Sequence, residues 1–325
     1  MYIKEQSLDD LMRSAVEAIN EKGAQLVASK GKNREILGTC LELTNPRARL
    51  SQTESKGTIF SCFGELFWYL SGSNRLDFIQ YYIDLYKKFS DDGNTLNGAY
   101  GPRVFGNTDQ PSQFARVQEL LVEKPTSRQA VIQIFHANDL RINTNDVPCT
   151  CTLQFFVRDT KLVLITNMRS NDLYRGFPHD VFAFTMIQEL MARSLNLELG
   201  SYFHFVGSLH IYHEDLEKIE TYLEEGWPES KPMPAMPPDN PLDYMPEIVS
   251  IEREIRISNK LELGTTKFDA YWSDIFKLLH IFRLYKNQDK SSLEQARAIE
   301  KTIEDVSAVY SQYTKKLLDK FEEKL

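Results

Sequence analysis

The spacing of apolar positions alternates between helical and strand periods, and this alternation predicts most of the elements. Residues 8–28 carry Leu11, Met12, Ala15, Val16, Ala18 and Ile19 at helical spacing behind Ser7, a plausible cap. The short basic segment 29–34 leads into a strand-like run over 35–43. Residues 58–71 read as an apolar helix whose one ionisable residue is Glu65, and a second helix is expected over 74–89. The glycines of 96–106 point to a tight, site-forming loop. A helix over 112–123, a turn at 124–128 and a strand over 129–135 follow.

The segment 146–180 concentrates polar chemistry. An alternating strand runs to Val157, a short turn falls at 158–160, and a second strand covers 162–166. A polar cluster over 167–172 and a glycine turn at 176–180 then open a helix over 181–195, apolar nearly all round and so expected to be buried. A strand over 200–212 and a helix from Glu214 come next.

Residues 227–246 hold seven of the thirteen prolines, which predicts an extended connector without regular structure. Residues 266–287 and 291–325 read as two amphipathic helices rich in Lys and Glu, a helical hairpin attached to the main fold. The expected division is a domain over 1–250 and a helical extension over 251–325.

Composition narrows the function classes. At 325 residues, 42% hydrophobic and 26% charged, the chain has the make-up of a soluble globular protein. A formal net charge of −8 argues against a nucleic-acid polymer as partner. The N-terminus has no signal-like apolar core, and no run of 18 apolar residues occurs, so a cytoplasmic protein without a membrane span is expected. Four cysteines then read as thiols, and Cys149-x-Cys151 lacks the second close pair of a zinc site, so no metal is expected.

Three residues have open readings at this level. Glu65 is either on an exposed stripe or a buried carboxylate suited to proton transfer. Cys149, after a proline at a strand start, is a packed thiol or a nucleophile. Asp180 is a helix cap or a ligand-reading carboxylate.

Several motifs together resemble the thymidylate synthase superfamily, over roughly residues 9–225. They are Pro148-Cys149 with Gln154-Phe155-Phe156-Val157, Arg169-Ser170-Asn171-Asp172, Gly176-Phe177-Pro178-His179-Asp180 and His210-Ile211-Tyr212. Glu65-Leu66-Phe67-Trp68-Tyr69-Leu70 and Tyr100-Gly101-Pro102-Arg103 add two more. The resemblance implies an α+β fold with a large mixed sheet at a homodimer interface, flanked by helices. It also implies C5 one-carbon transfer to a pyrimidine nucleoside monophosphate, with methylenetetrahydrofolate as co-substrate.

Residue by residue, the resemblance makes Cys149 the nucleophile that adds at C6, and a nearby arginine such as Arg169 would favour its thiolate. Glu65 becomes the proton-transfer group and Asp180 the residue that reads the base. Arg169 and Ser170 become phosphate ligands, joined by Arg128 lent across the dimer and by Lys30 or Lys32. Gln154, His210 and Tyr212 complete the nucleotide set; Asp172, Tyr86, Phe89 and Gly176 form the folate set. Gln129 stands where the family usually has a second arginine.

Asp180 replaces the asparagine of the synthases and resembles the dCMP and CMP hydroxymethylases. A carboxylate accepts from the N4 amino group of cytosine, where an amide suits uracil. Tyr86 in place of a tryptophan would admit water, giving a hydroxymethyl product. The expectation is therefore 5-hydroxymethylation of cytidylate. The alternatives are C5 methylation, either dUMP to dTMP or on cytidylate, and a non-catalytic nucleotide-binding relative.

Overall fold

The two long alternating segments that flank the polar cluster form the centre of a seven-stranded sheet. The computed structural model describes residues 1–28, 31–107, 111–141, 143–257, 268–286 and 293–323. The chain begins with strand β1 (Tyr2–Glu5), helix α1 (Leu8–Lys22), strands β2 (Ala24–Ala28) and β3 (Gly31–Leu43), and helices α2 (Ile59–Leu70) and α3 (Leu76–Tyr82). Helices α4 (Tyr100–Phe105) and α5 (Gln113–Glu123) and strand β4 (Val131–Gln133) come next. Strands β5 (Thr150–Arg158) and β6 (Lys161–Asp172) lead to helix α6 (Phe177–Ser194), strand β7 (Glu198–Tyr212) and helix α7 (Leu216–Glu224). Helices α8 (Met245–Ile257), α9 (Ala270–Lys286), α10 (Leu293–Glu304) and α11 (Ser311–Glu322) follow.

Strand order is β1-β3-β7-β6-β5-β4, with β2 folded back on β3. β6 and β7 run parallel, so their C-terminal ends deliver 170–172 and 208–210 to the same edge of the sheet. β5 and β6 are antiparallel and joined by a two-residue turn, in which Asp159 and Thr160 both take positive φ. The period of two gives each strand a buried and an open face. Leu162, Leu164, Thr166 and Met168 of β6, and Tyr202, His204 and Val206 of β7, are buried beneath α6. Val163, Ile165 and Phe203 are only half-buried on the opposite face, and Phe205 and Leu37 are exposed there. Helix α6 is buried on almost every side because it lies between the sheet and α2.

Several expected boundaries move. The first helix stops at Lys22, because residues 24–28 pair with β3. The basic segment 29–34 is largely the start of β3, with Lys32 exposed on it; Lys30 lies outside the described residues. The helix expected over 74–89 breaks at Ile83 into α3 and a 3-10 turn, Asp84–Lys88. The glycine loop at 96–106 contains α4, where Gly101 lets the helix approach the Trp68 and Tyr69 carbonyls of α2.

The proline-rich segment is held in place: the Met233 and Met236 amides donate to the Arg47 carbonyl and the Glu189 carboxylate. It ends in a 3-10 turn, Pro241–Asp243, and in α8, so the boundary expected at 250 falls inside a helix. The expected two-helix hairpin is three helices packed on the main fold. Phe282 of α9 stacks on Phe60 of α2 and Tyr82 of α3, at 5.6 and 5.5 Å between centroids. The second helix breaks after Glu304, where Lys277 donates to the Asp305 carbonyl and Asp274 accepts from the Ser307 amide. No helix among the described residues is long and apolar enough to cross a membrane.

Candidate active site

Cys149 stands at the entrance to β5 and is held from two sides. The Arg169 amide donates to its carbonyl at 2.9 Å. The Arg169 guanidinium binds the Pro148 and Val147 carbonyls through Nε and Nη2, both at 2.9 Å. On the other side the Thr150 amide donates to the Tyr100 hydroxyl at 3.2 Å, and the Asp146 carboxylate accepts from the Gly98 amide at 2.6 Å. The strand entrance is thus fixed by α4 and its preceding loop as well as by β6. None of the four cysteines is in a disulfide.

Glu65 is buried, which excludes the exposed-stripe reading. It accepts from the Tyr69 hydroxyl at 2.9 Å, one turn along α2, and from the Tyr86 hydroxyl out of the 3-10 turn. Burial, followed by the negative charge of Glu65, pushes both phenols well above their ordinary range, so both donate. The Tyr86 ring meets Trp68 edge-on at 5.3 Å and Phe89 at 6.2 Å.

Asp180 is not the helix cap. Gly176 holds that position, and Asp180 lies inside the first turn of α6. Its Oδ2 accepts from Asn171 Nδ2 at 2.8 Å. Burial and then the Glu65 charge raise its carboxyl to about 8. The carboxyls of Glu65 on α2 and Asp180 on α6 therefore lie near enough to feel each other. Tyr100, whose ring lies 5.2 Å from that of Tyr69 and whose hydroxyl accepts from the Thr150 amide, feels the charges of both Asp180 and Cys149.

At the C-terminal edge of the parallel pair, Asp172 lies opposite His210 and Ser170 opposite Ser208. Asp172 Oδ1 accepts from the Tyr174 and Arg175 amides, both at 2.8 Å. Its Oδ2 is buried and has no hydrogen-bond partner among the described residues. His210 meets the Tyr212 ring edge-on at 4.9 Å, and Tyr212 feels the charges of Asp172 and Cys149. Ser170, Asp172, His210 and Tyr212 are thus brought to one edge of the sheet. Arg128 and Gln154 do not join them within one chain. Arg128 is exposed, and Gln154 Nε2 donates to its carbonyl at 3.0 Å on the open face of the sheet.

The structure adds groups that sequence reasoning missed. Lys56 is buried with its ammonium 3.9 Å above the Tyr174 ring, and burial lowers it to about 8 despite the nearby Asp172 carboxylate. His179 Nε2 lies 2.9 Å from the Ser61 hydroxyl. Asn171 and His204 form a buried chain behind Asp180. Asn171 and His179 lie inside sequence motifs, in the polar cluster and the glycine turn; Lys56 and His204 become neighbours only through packing.

The sequence profile of the thymidylate synthase family matches residues 14–253. The chain belongs to the thymidylate synthase family. It is similar to a protein named deoxyuridylate hydroxymethyltransferase from Bacillus phage SP01, 33% identical over 208 residues, covering 60% of this chain and 54% of that one. A protein of the same name from Delftia phage PhiW-14 is 28% identical over 209 residues, covering 59% and 57%. The chain spans a little over half the length of these curated relatives.

Thymidylate synthase family members use methylenetetrahydrofolate as co-substrate. The residues present fit such a molecule: the unpartnered buried Asp172 Oδ2 is a ready acceptor for a ring N–H, and Tyr86 and Phe89 are half-buried aromatics. Among the described residues, no group of three or more His, Cys, Asp or Glu could hold a metal ion.

Proposed function

We propose that this chain hydroxymethylates C5 of a pyrimidine nucleoside monophosphate, with cytidylate as the nucleotide. The observation that carries the reading is Asp180, a carboxyl held by Asn171 and close enough to Glu65 to feel its charge, with Tyr100 bound to the Thr150 amide beside Cys149. C5 is a weak carbon nucleophile until a thiolate adds at C6 and pushes electron density to it. Cys149 supplies that thiolate. Bound folate supplies a one-carbon unit at the formaldehyde level, and Asp172, Tyr86 and Phe89 hold it. Glu65 removes the C5 proton as the methylene–nitrogen bond breaks and tetrahydrofolate departs, and it then activates the water that adds to the exocyclic methylene left on the nucleotide. Cys149 leaves C6 as the ring double bond reforms.

Arg169 retains Nη1 for phosphate after its two carbonyl bonds, with Ser170 beside it on β6. His210 and Tyr212 take the sugar. A second copy of the chain fits the open sheet face, where Val163, Ile165, Phe203, Phe205 and Leu37 leave apolar surface exposed or half-exposed. Arg128 would reach the phosphate from that copy.

A second reading takes deoxyuridylate as the nucleotide, and two observations favour it. Both relatives carry that substrate in their names. A carboxyl raised to about 8 is largely neutral at pH 7, and a neutral acid can donate to O4 and accept from N3–H of uracil. Incubating the protein with CMP, dCMP or dUMP plus methylenetetrahydrofolate, then weighing the products, separates the readings. A hydroxymethyl product on cytidylate supports the first; one on dUMP alone supports the second. A methyl product with dihydrofolate would overturn hydroxymethylation.

A further inference from the structure

We propose that Asn171 and His204 are specificity-determining positioning residues, which fix the hydrogen-bonding polarity that Asp180 presents to the base. The proposal rests on the reading that Asp180 faces the pyrimidine ring.

A chain of four side chains runs from the core to Asp180. The Tyr202 hydroxyl is 2.7 Å from His204 Nδ1, and His204 Nε2 is 2.9 Å from Asn171 Oδ1. Asn171 Nδ2 then donates to Asp180 Oδ2 at 2.8 Å. Tyr202 and His204 are fully buried on the inner faces of the sheet, and Asn171 is 5% exposed. Burial lowers His204 to about 3, so its ring is neutral and carries one N–H. Burial also lifts the Tyr202 phenol well above its ordinary range, so it remains a donor. With Tyr202 donating to Nδ1, the His204 proton sits on Nε2 and points at Asn171 Oδ1. The Asn171 amide can then take only one orientation, with its N–H towards Asp180. The donors all point the same way.

This direction matters because a neutral carboxyl has two mirror-related patterns. Either oxygen can carry the proton, and the two forms match cytosine and uracil in opposite senses. Cytosine offers an amino donor beside an acceptor nitrogen; uracil offers N3–H beside an acceptor oxygen. An N–H held on Oδ2 makes that oxygen the acceptor and leaves the proton to Oδ1. One pattern survives, and so one base is favoured. Gly176 packs over this contact: a Cβ there would lie 3.2 Å from Asn171 Nδ2 and 3.5 Å from Asp180 Oδ2.

The test compares dCMP with dUMP, as kcat/KM and as binding affinity, from about pH 6 to pH 9. The proteins are the full-length wild type, Asn171→Ala, His204→Phe, the double variant and His204→Gln. Other groups also face Asp180: Glu65 and Tyr69 from α2, Tyr86 from the 3-10 turn, Tyr100 from α4, Tyr202 from β7 and its neighbour His179. Differences between variants, not the profile of one protein, are therefore read.

The preference ratio is expected to fall about tenfold or more in Asn171→Ala and in His204→Phe, and no further in the double variant. Without the Asn171 N–H, the pH at which the ratio changes should rise. His204→Gln, which keeps an N–H donor, should recover part of the preference. Unchanged ratios in both single variants, with native circular dichroism, overturn the proposal, as does a wild type that does not distinguish the two nucleotides. A wild type that prefers dUMP ends the cytidylate reading alone, because the relay predicts loss of whichever preference exists.

Discussion

Tyr86 and Tyr69 donate to the same oxygen of Glu65, Oε1, from two separate elements. Oε2 lies outside that pair of bonds, and the carboxylate is anchored through one oxygen while the other stays available for proton transfer. Tyr86→Phe should loosen the anchor and remove the polar tip beside it. Product formation and release of tritium from C5 are both expected to fall about 10- to 100-fold, since Glu65 is assigned both the proton removal and the water step. Wild-type rates in both assays would show that Tyr86 does not anchor the Glu65 carboxylate for either step. Tyr86→Trp should shift the product from hydroxymethyl towards methyl, read by mass and by dihydrofolate formation.

Cys149 tests the covalent step. Cys149→Ser keeps the shape of the β5 entrance, because the contacts that hold it run through backbone atoms of residues 147–150. Tritium release from C5 should disappear, while nucleotide affinity stays within a few-fold of wild type. Residual release near the wild-type rate would exclude C6 addition by this thiol.

Much of the fold was legible because it follows from periodicity. The strand to Val157, the strand begun at 162–166 and the buried helix after them come from local alternation and from apolar coverage, whereas the polar cluster at 167–172 hid that the second strand runs on to Asp172. What the sequence hid was set by tertiary contact. Residues 24–28 left the first helix because β3 offered them a partner. The C-terminal helices read as an amphipathic hairpin whose docking partner was not visible, and α9 presents Phe282 to an aromatic surface contributed by Phe60 and Tyr82, far away in sequence. At the site, Cys149, Arg169 and Asp172 were readable from their motif. His204 and Lys56 were not, since a single buried polar residue has no pattern until its neighbours are known.

Asp180 links base reading to stability. Its carboxyl lies at about 8 in the folded chain, raised by burial and by Glu65, against about 4 for an unfolded aspartate. Between those values the folded protein keeps a proton that the unfolded chain has lost, so its contribution to stability falls as pH rises from about 4 to about 8. Asp180→Asn removes that decline. The variant should be more stable than wild type by on the order of 2 kcal/mol near pH 8, discounted for partial exposure, with little gain near pH 4. Urea midpoints at the two pH values check this. The same variant should move base preference towards uracil.

The C-terminal helices are expected to unfold together with the catalytic portion. Phe282 stacks between Phe60 and Tyr82, and Tyr82 also donates to Glu252 of α8 at 2.7 Å. Further along, the Tyr313 hydroxyl donates to the Ser51 carbonyl at 2.7 Å, and the Gln52 side chain donates to Tyr313 at 2.9 Å. This ties α11 to the segment that carries Lys56. Phe282→Ala removes the shared ring of the aromatic stack and should cost ~2 kcal/mol, since the side chain is half-buried. Unfolding should remain a single transition, shifted to lower denaturant. Two separate transitions would mean that the helices fold as an independent unit. Tyr313→Phe should act more locally, raising KM for the folate more than it lowers stability, because the loss falls on the segment whose Lys56 lies on Tyr174 and feels the charge of Asp172, the proposed folate ligand, and not on the stack.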